Sequence, residues 1–137
     1  MNSPPFSADS FNWRRWVGLP FAPRGRGPSY DCWGLIWAVL REVGHDLPSL
    51  LDDGVATGKQ KARLDQWKPI PPGDPKLFDI AAFCYTKDTL HLGLVCGPGV
   101  FLHTAGGEGS GVDNFLQQPW RSCLKGFYRF QAARAGL

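Results

Sequence analysis

The sequence predicts an α+β domain, with helices ahead of a small antiparallel sheet. Three observations carry that prediction. Between Cys32 and Val43, the apolar residues Leu35, Ile36, Val39, Leu40 and Val43 recur at helical spacing. From Asp79 onward the apolar period shortens toward two, in short runs separated by turn residues. The length of 137 residues, 43% of them hydrophobic, suits one domain with its own core and is short for two, so 1–137 is expected to be a single domain.

Taken in order, Ser10 or Asn12 can cap a short helix over FNWRRWV, with Phe11, Trp16 and Val17 facing inward, until Gly18 and Pro20 stop it. LPFAPRGRGPS, which follows, is loop. The helix from Cys32 to Val43 ends at Gly44, a residue suited to the left-handed conformation of a helix stop. From His45 to Pro75 the pattern is poor; a short helix over KQKARLDQW precedes the breaker run PIPPGDP, and the segment reads as a connector. DIAAFCY, HLGLVCG, GVFLHT, SGVDNF and LKGFYRF then read as strands. Helices first and strands after is the α+β layout.

Composition narrows the function. The formal charge of +3 is mild and the basic residues are spread out, apart from Arg14, Arg15, Arg24 and Arg26, so no specific nucleic-acid partner is expected. No run approaches the roughly 18 apolar residues of a membrane span, and MNSPPFSADSF carries no export signal, so synthesis in the cytoplasm is the expectation. The cysteines at 32, 84, 96 and 123 form no CxxC pair, so neither a metal nor another cofactor is expected. In a reducing compartment Cys84, Cys96 and Cys123 read as small buried hydrophobes.

Cys32 is different, because it opens a helix. There the unpaired N–H groups and the helix dipole favour thiolate, and a nearby histidine favours it further, so a depressed pKa and preferential alkylation of Cys32 are expected. Asp31 or Ser29 can cap the helix, and the Cys32 N–H can stabilise an oxyanion. The candidate bases are His91, opening HLGLV, and His103, in VFLHT; His45 belongs to the turn after the helix. A three-residue turn over Gly97, Pro98 and Gly99 would pair Cys96 with Val100, whose numbers add to 196, while those of the two histidines add to 194. The even difference puts both imidazoles on one face of neighbouring strands, diagonal to each other, where one can orient the other in a Cys-His-His relay. The plainer alternative is a pair of structural histidines at a sheet edge. Trp33 and Trp37 lie one turn apart and can line a cleft, fill the core or meet a second subunit.

Together these segments resemble the NlpC-like cysteine peptidases of the NlpC/P60 superfamily, in particular the branch found in phage tails and phage-like particles. The resemblance runs from about Trp13 to Phe130. It rests on WVGLPF before a Gly/Arg loop, YDCWGLIWAVLREVGHDLP for the Asp-Cys-x-Gly helix, FDIAAF for the Gly-Asp-Val strand, and HLGLV through FLHTAGGEGSGV for the histidine hairpin. It implies a papain-like fold with the nucleophile helix packed on the sheet, and hydrolysis of peptidoglycan stem peptides by Cys32 as nucleophile, His91 as base and His103 as orienting residue. Tyr30, Trp33 and Phe21 are the implied substrate contacts. Three positions depart from the family pattern: Trp33 follows the cysteine where Ser is common, as in the tail branch; Phe21 stands where cell-wall members carry Tyr; and Phe78 replaces the Gly before Asp79. The resemblance also implies tail-tip protein partners and carriage on a particle that meets the cell wall from outside. The alternatives are a structural tail-tip protein with vestigial residues and an acyl or amide transferase using the same Cys-His pair.

Overall fold

A computed structural model describes residues 11–45, 67–71, 73, 75–86 and 89–130. Among the described residues, six antiparallel strands form one sheet: β1 (Trp67–Ile70), β2 (Ile80–Thr86), β3 (Thr89–Gly97), β4 (Val100–Ala105), β5 (Gly109–Asn114) and β6 (Leu124–Phe130), in the order β1-β6-β2-β3-β4-β5. The helix α1 (Cys32–Glu42) packs on β3 and β4, and a single helical turn, α2 (Trp120–Cys123), precedes β6. This is the α+β arrangement the sequence predicts.

The sheet separates two apolar clusters. Leu90, Leu92, Leu94, Cys96 and Leu102 face α1 together with Ile80 and Ala82. Ala81, Phe83, Val95, Phe101, Phe115 and Phe127 form the cluster on the other face. Alternation of side chains along each strand produces that division.

At its start α1 is capped by Asp31, whose carboxylate accepts from the Gly34 N–H at 2.7 Å. At its end Gly44 takes φ +104° and donates to the Arg41 carbonyl at 3.0 Å, while His45 donates to Leu40 at 2.9 Å. This pair of bonds is the Schellman stop that Gly44 announces, and it fixes His45 as part of the helix terminus.

The first segment differs from its prediction. Residues Trp13–Trp16 form a 3₁₀ turn in which Trp13 and Trp16 are buried, whereas Val17 is 41% exposed. With three residues per turn, positions 13 and 16 eclipse and Val17 is carried outward. The segment is fastened to the free edge of β5: Ser110 exchanges backbone bonds with Gly18 and Leu19, both 2.9 Å, and its hydroxyl donates to the Trp16 carbonyl at 2.6 Å and accepts from the Leu19 N–H at 2.9 Å.

The connector also differs. Trp67–Ile70 is an edge strand paired with β6, from Trp67 opposite Phe130 to Ile70 opposite Phe127. Proline at 69 argues against a central strand but is tolerated at an edge, where its missing N–H faces outward. Residues 59–66 of the expected helix lie outside the described residues. The five predicted strands are present, and Phe78, in the turn before β2, has an unusual backbone: φ is +72°, the region a glycine enters freely. The Phe78 ring stacks on Trp13 at 5.1 Å and meets Phe11 edge-on at 5.4 Å, contacts that a glycine in its place would forgo.

Because one hydroxyl closes two of the bonds that hold the 3₁₀ segment, Ser110→Ala is expected to cost about 1–3 kcal/mol, the penalty of leaving buried polar groups unpaired. Urea unfolding would show it as a lowered midpoint with unchanged slope.

Candidate active site

Asp31 ties the loop to the helix. Besides the Gly34 amide, its carboxylate accepts from the Arg24 N–H and from Arg26 Nη1, each at 3.0 Å. Gly34 is required by proximity, since a Cβ there would collide with the Gly25 carbonyl and lie 2.7 Å from Arg26 Nη1. The pattern Asp-Cys-x-Gly thus has a physical meaning here: a cap, the first helical residue, and a place where the loop crosses the helix.

Cys32 is 8% exposed, and the backbone amide of Leu92 on β3 acts on its sulfur in the direction that favours thiolate. The sheet makes that amide available. Val95 donates to Asp79 on the β2 side at 2.7 Å, so by the alternation of an antiparallel ladder the N–H groups of Leu92 and Leu94 point toward β4. Among the described residues, the pairing of β3 with β4 ends at Leu94 opposite Leu102. Leu92 lies beyond it, where its amide acts on the thiol.

The expectation of a depressed thiol pKa is overturned. Burial pushes Cys32 up to about 11 and the Asp31 charge adds to the rise, against lowering by the amides of Leu92, Trp33 and Cys32 itself. The helix start does pull toward thiolate, but desolvation is the larger effect.

His91 and His103 come together as their register requires. Leu94 opposite Leu102 and Val95 opposite Phe101 keep the sum of 196, although Gly97 pairs with Val100 and a bulge at Cys96 restores the register that a three-residue turn would give. His91 Nε2 lies 2.9 Å from His103 Nδ1, and the other end of His103, Nε2, lies 2.7 Å from Asp113 Oδ2 on β5. Asp113 is absent from the sequence reading. Its signal was available: Phe101 is opposite Asp113, so β5 presents it on the face that carries His103.

The two rings sit on the sheet face opposite α1, in an aromatic setting. Trp120 from α2 stacks on His91 at 5.6 Å and meets His103 edge-on at 4.9 Å, with Phe83 and Phe101 at 5.1 and 5.2 Å from its own ring. Burial lowers the pKa of His91 to about 3, with the neighbouring His103 charge contributing. His103 is lowered by burial as well, opposed by its bond to Asp113. Both rings are therefore neutral at pH 7. The thiol reaches β3 from the helix side at Leu92, and His91, the residue before, occupies the other face.

The expected substrate contacts fall differently. Trp33 is 1% exposed and lies in the helix-side core, which accounts for it by packing. Tyr30 is half-buried, meets Trp16 edge-on at 6.0 Å, and is bridged to Phe21. Phe21 is half-buried and lies near Gly106, the first residue after β4, bordering the β4–β5 turn. A separate groove of about 740 Å³, lined by Pro75, Lys76, Leu77, Phe115 and Leu116 among others, lies at the opposite end of β3.

The model of the NlpC/P60 family matches residues 18–129. The chain belongs to the NlpC/P60 family. Among solved structures, a lipoprotein-like NlpC/P60 protein from Staphylococcus aureus is similar at 24% identity and a TM-score of 0.64, over 84% of this chain and 37% of that one. A Bacillus cereus family member is similar at 17% identity and a TM-score of 0.68, over 87% of this chain and 37% of its own. The NlpC/P60 domain of the peptidoglycan hydrolase SagA is similar at 21% identity and a TM-score of 0.62, over 94% of this chain and 98% of the domain. This NlpC/P60 chain thus spans little more than a third of the first two proteins, and the likeness to all three is one of fold. No curated protein matches the sequence.

Two measurements test the electrostatics. Iodoacetamide at pH about 7 should alkylate the half-buried Cys84 and Cys123 before Cys32, because thiolate is the reacting form and burial keeps Cys32 protonated; peptide mapping reads the order, and early labelling of Cys32 would contradict its burial. For His91, the unfolded chain binds a proton near 6.5 whereas the folded chain binds it only near 3. The contribution of His91 to stability is thus fully present above pH 6.5 and lost as pH falls toward 3, so urea midpoints should drop across that window.

Proposed function

We infer that this chain is a cysteine peptidase acting on the peptide stems of bacterial peptidoglycan, with Cys32 as nucleophile, His91 as base and His103 as the residue that orients it. The carrying observation is a helix-start thiol near the amide of Leu92, the residue that follows a histidine bonded at 2.9 Å to a second histidine, in a chain of the NlpC/P60 family. The fold shared with the peptidoglycan hydrolase SagA domain supports cell-wall peptides as the substrate class.

The chemistry starts from a neutral pair. As the Cys32 sulfur bonds to the scissile carbonyl carbon, its proton passes to His91, so charge develops only during attack. The carbonyl oxygen becomes an oxyanion beside the Cys32 N–H at the positive end of α1. His91 then protonates the leaving nitrogen, the C–N bond breaks and a thioester remains. Water, deprotonated by His91, attacks the thioester and releases the acid and the thiol.

Carriage on a phage-like tail tip is the finer part of this reading, and Trp33 after the cysteine is the residue that supports it. Mass spectrometry of purified particles tests it: a fixed low copy number per tail is expected, and absence from infectious particles would refute the tail placement while leaving the peptidase reading intact.

Cys32→Ala and His91→Ala are each expected to remove nearly all release of peptides from purified sacculi, by about 10⁴-fold or more, because members of a nucleophile-base unit fail together. His103→Gln should lose less, since an amide still offers a partner to the ring of His91. Undiminished peptide release by either alanine variant would overturn the assignment.

A further inference from the structure

The line of hydrogen bonds that starts at His91 crosses three adjacent strands: His91 on β3, His103 on β4 and Asp113 on β5, with separations of 2.9 and 2.7 Å. We propose that Asp113 is the positioning residue that sets the proton on both histidines, so that the Nδ1 lone pair of His91 is left to take the thiol proton; this deepens, and rests on, the cysteine peptidase reading.

Donors and acceptors decide where each proton sits. A carboxylate only accepts, so at the 2.7 Å contact His103 Nε2 carries the hydrogen. In a neutral imidazole the other nitrogen is then an acceptor, which makes His103 Nδ1 the acceptor of the 2.9 Å bond and His91 Nε2 its donor. His91 has a single proton to place, and placing it on Nε2 empties Nδ1. Without Asp113 the pair has two equivalent arrangements: His103 can carry its proton on Nδ1 and donate it to His91, whose proton then moves to Nδ1 and ends its use as a base. The choice between them is made two strands away from the thiol.

The position of Asp113 suits the task. Its side chain is 50% exposed while His103 is 8% exposed, so the carboxylate keeps much of its hydration and still directs one oxygen to a buried ring. Glu108 also acts on His103, through its charge alone, whereas Asp113 is hydrogen-bonded to one ring nitrogen and so selects it. Thr104 and Ser110, the neighbouring polar residues of these strands, are opposite each other one position out of phase with His103 and so lie on the helix side.

The test uses the full chain with ¹⁵N-labelled histidine. Long-range proton–nitrogen correlation spectra at pH 7 distinguish the two neutral tautomers of each ring, and the wild type is expected to show the Nε2–H form for both His91 and His103. In Asp113→Ala, and in the isosteric Asp113→Asn whose amide can donate to His103 as well as accept from it, the Nδ1–H form should appear at both rings. Turnover of cell-wall peptides should fall by about 10- to 100-fold with KM little changed, less than the loss at a group bonded directly to the base. Asp113→Glu, which keeps an acceptor-only carboxylate, should recover part of the rate. Urea midpoints identify which variants are folded, and Asp113→Asn serves if Asp113→Ala is not. Unchanged tautomers in a folded variant, or an Nδ1–H tautomer at His91 in the wild type, would overturn the proposal. A tautomer switch in a protein that cleaves no sacculi would uphold the positioning role and refute the peptidase reading instead.

Discussion

The arrangement depends on one backbone amide. Had β3 and β4 remained paired past Leu94, the Leu92 N–H would belong to the ladder and the sheet would be sealed between the helix and the histidines. The parting of the strands leaves the Leu92 amide to act on the thiol, and places Cys32 near the residue that follows His91 in sequence. The cap at Asp31, the crossing of the loop at Gly34 and the Schellman stop at Gly44 serve the same end from the other side, by fixing where the first turn of the helix lies.

Much of this was legible in the sequence because it is written in periods and turns. Five strands, the extent of α1 and the common face of His91 and His103 follow from alternation, helical spacing and arithmetic on one hairpin. The bulge at Cys96 shows why that arithmetic is robust: a shorter turn and one extra residue leave the same register as the longer turn. What stayed hidden depends on packing across the molecule. A strand with proline at 69 reads as a breaker until its edge position is known, and the 3₁₀ period that buries Trp13 in place of Val17 is too brief to leave a pattern. Asp113 needed a second hairpin register, and the raised pKa of Cys32 needed the burial itself.

That burial changes how the candidate chemistry must be described. A thiol and an imidazole that both resist charging disfavour a resting ion pair, because burial opposes the charged form of each. A substrate that covers the thiol then adds little desolvation cost, since the cost is already carried by the folded protein. Reactivity toward a small alkylating reagent and reactivity toward a positioned carbonyl become separate properties of the same sulfur.

The sheet also acts as a partition. Leu92, Leu94 and Leu102 surround the sulfur side, while Phe83, Phe101 and Trp120 enclose the imidazoles, and these residues belong to opposite faces. Substitutions on one face therefore reach one titrating group before the other. A lineage of such proteins can adjust the proton affinity of the imidazoles by exchanging aromatic residues behind the sheet while the surroundings of the thiol stay fixed, so the two groups are free to drift at different rates.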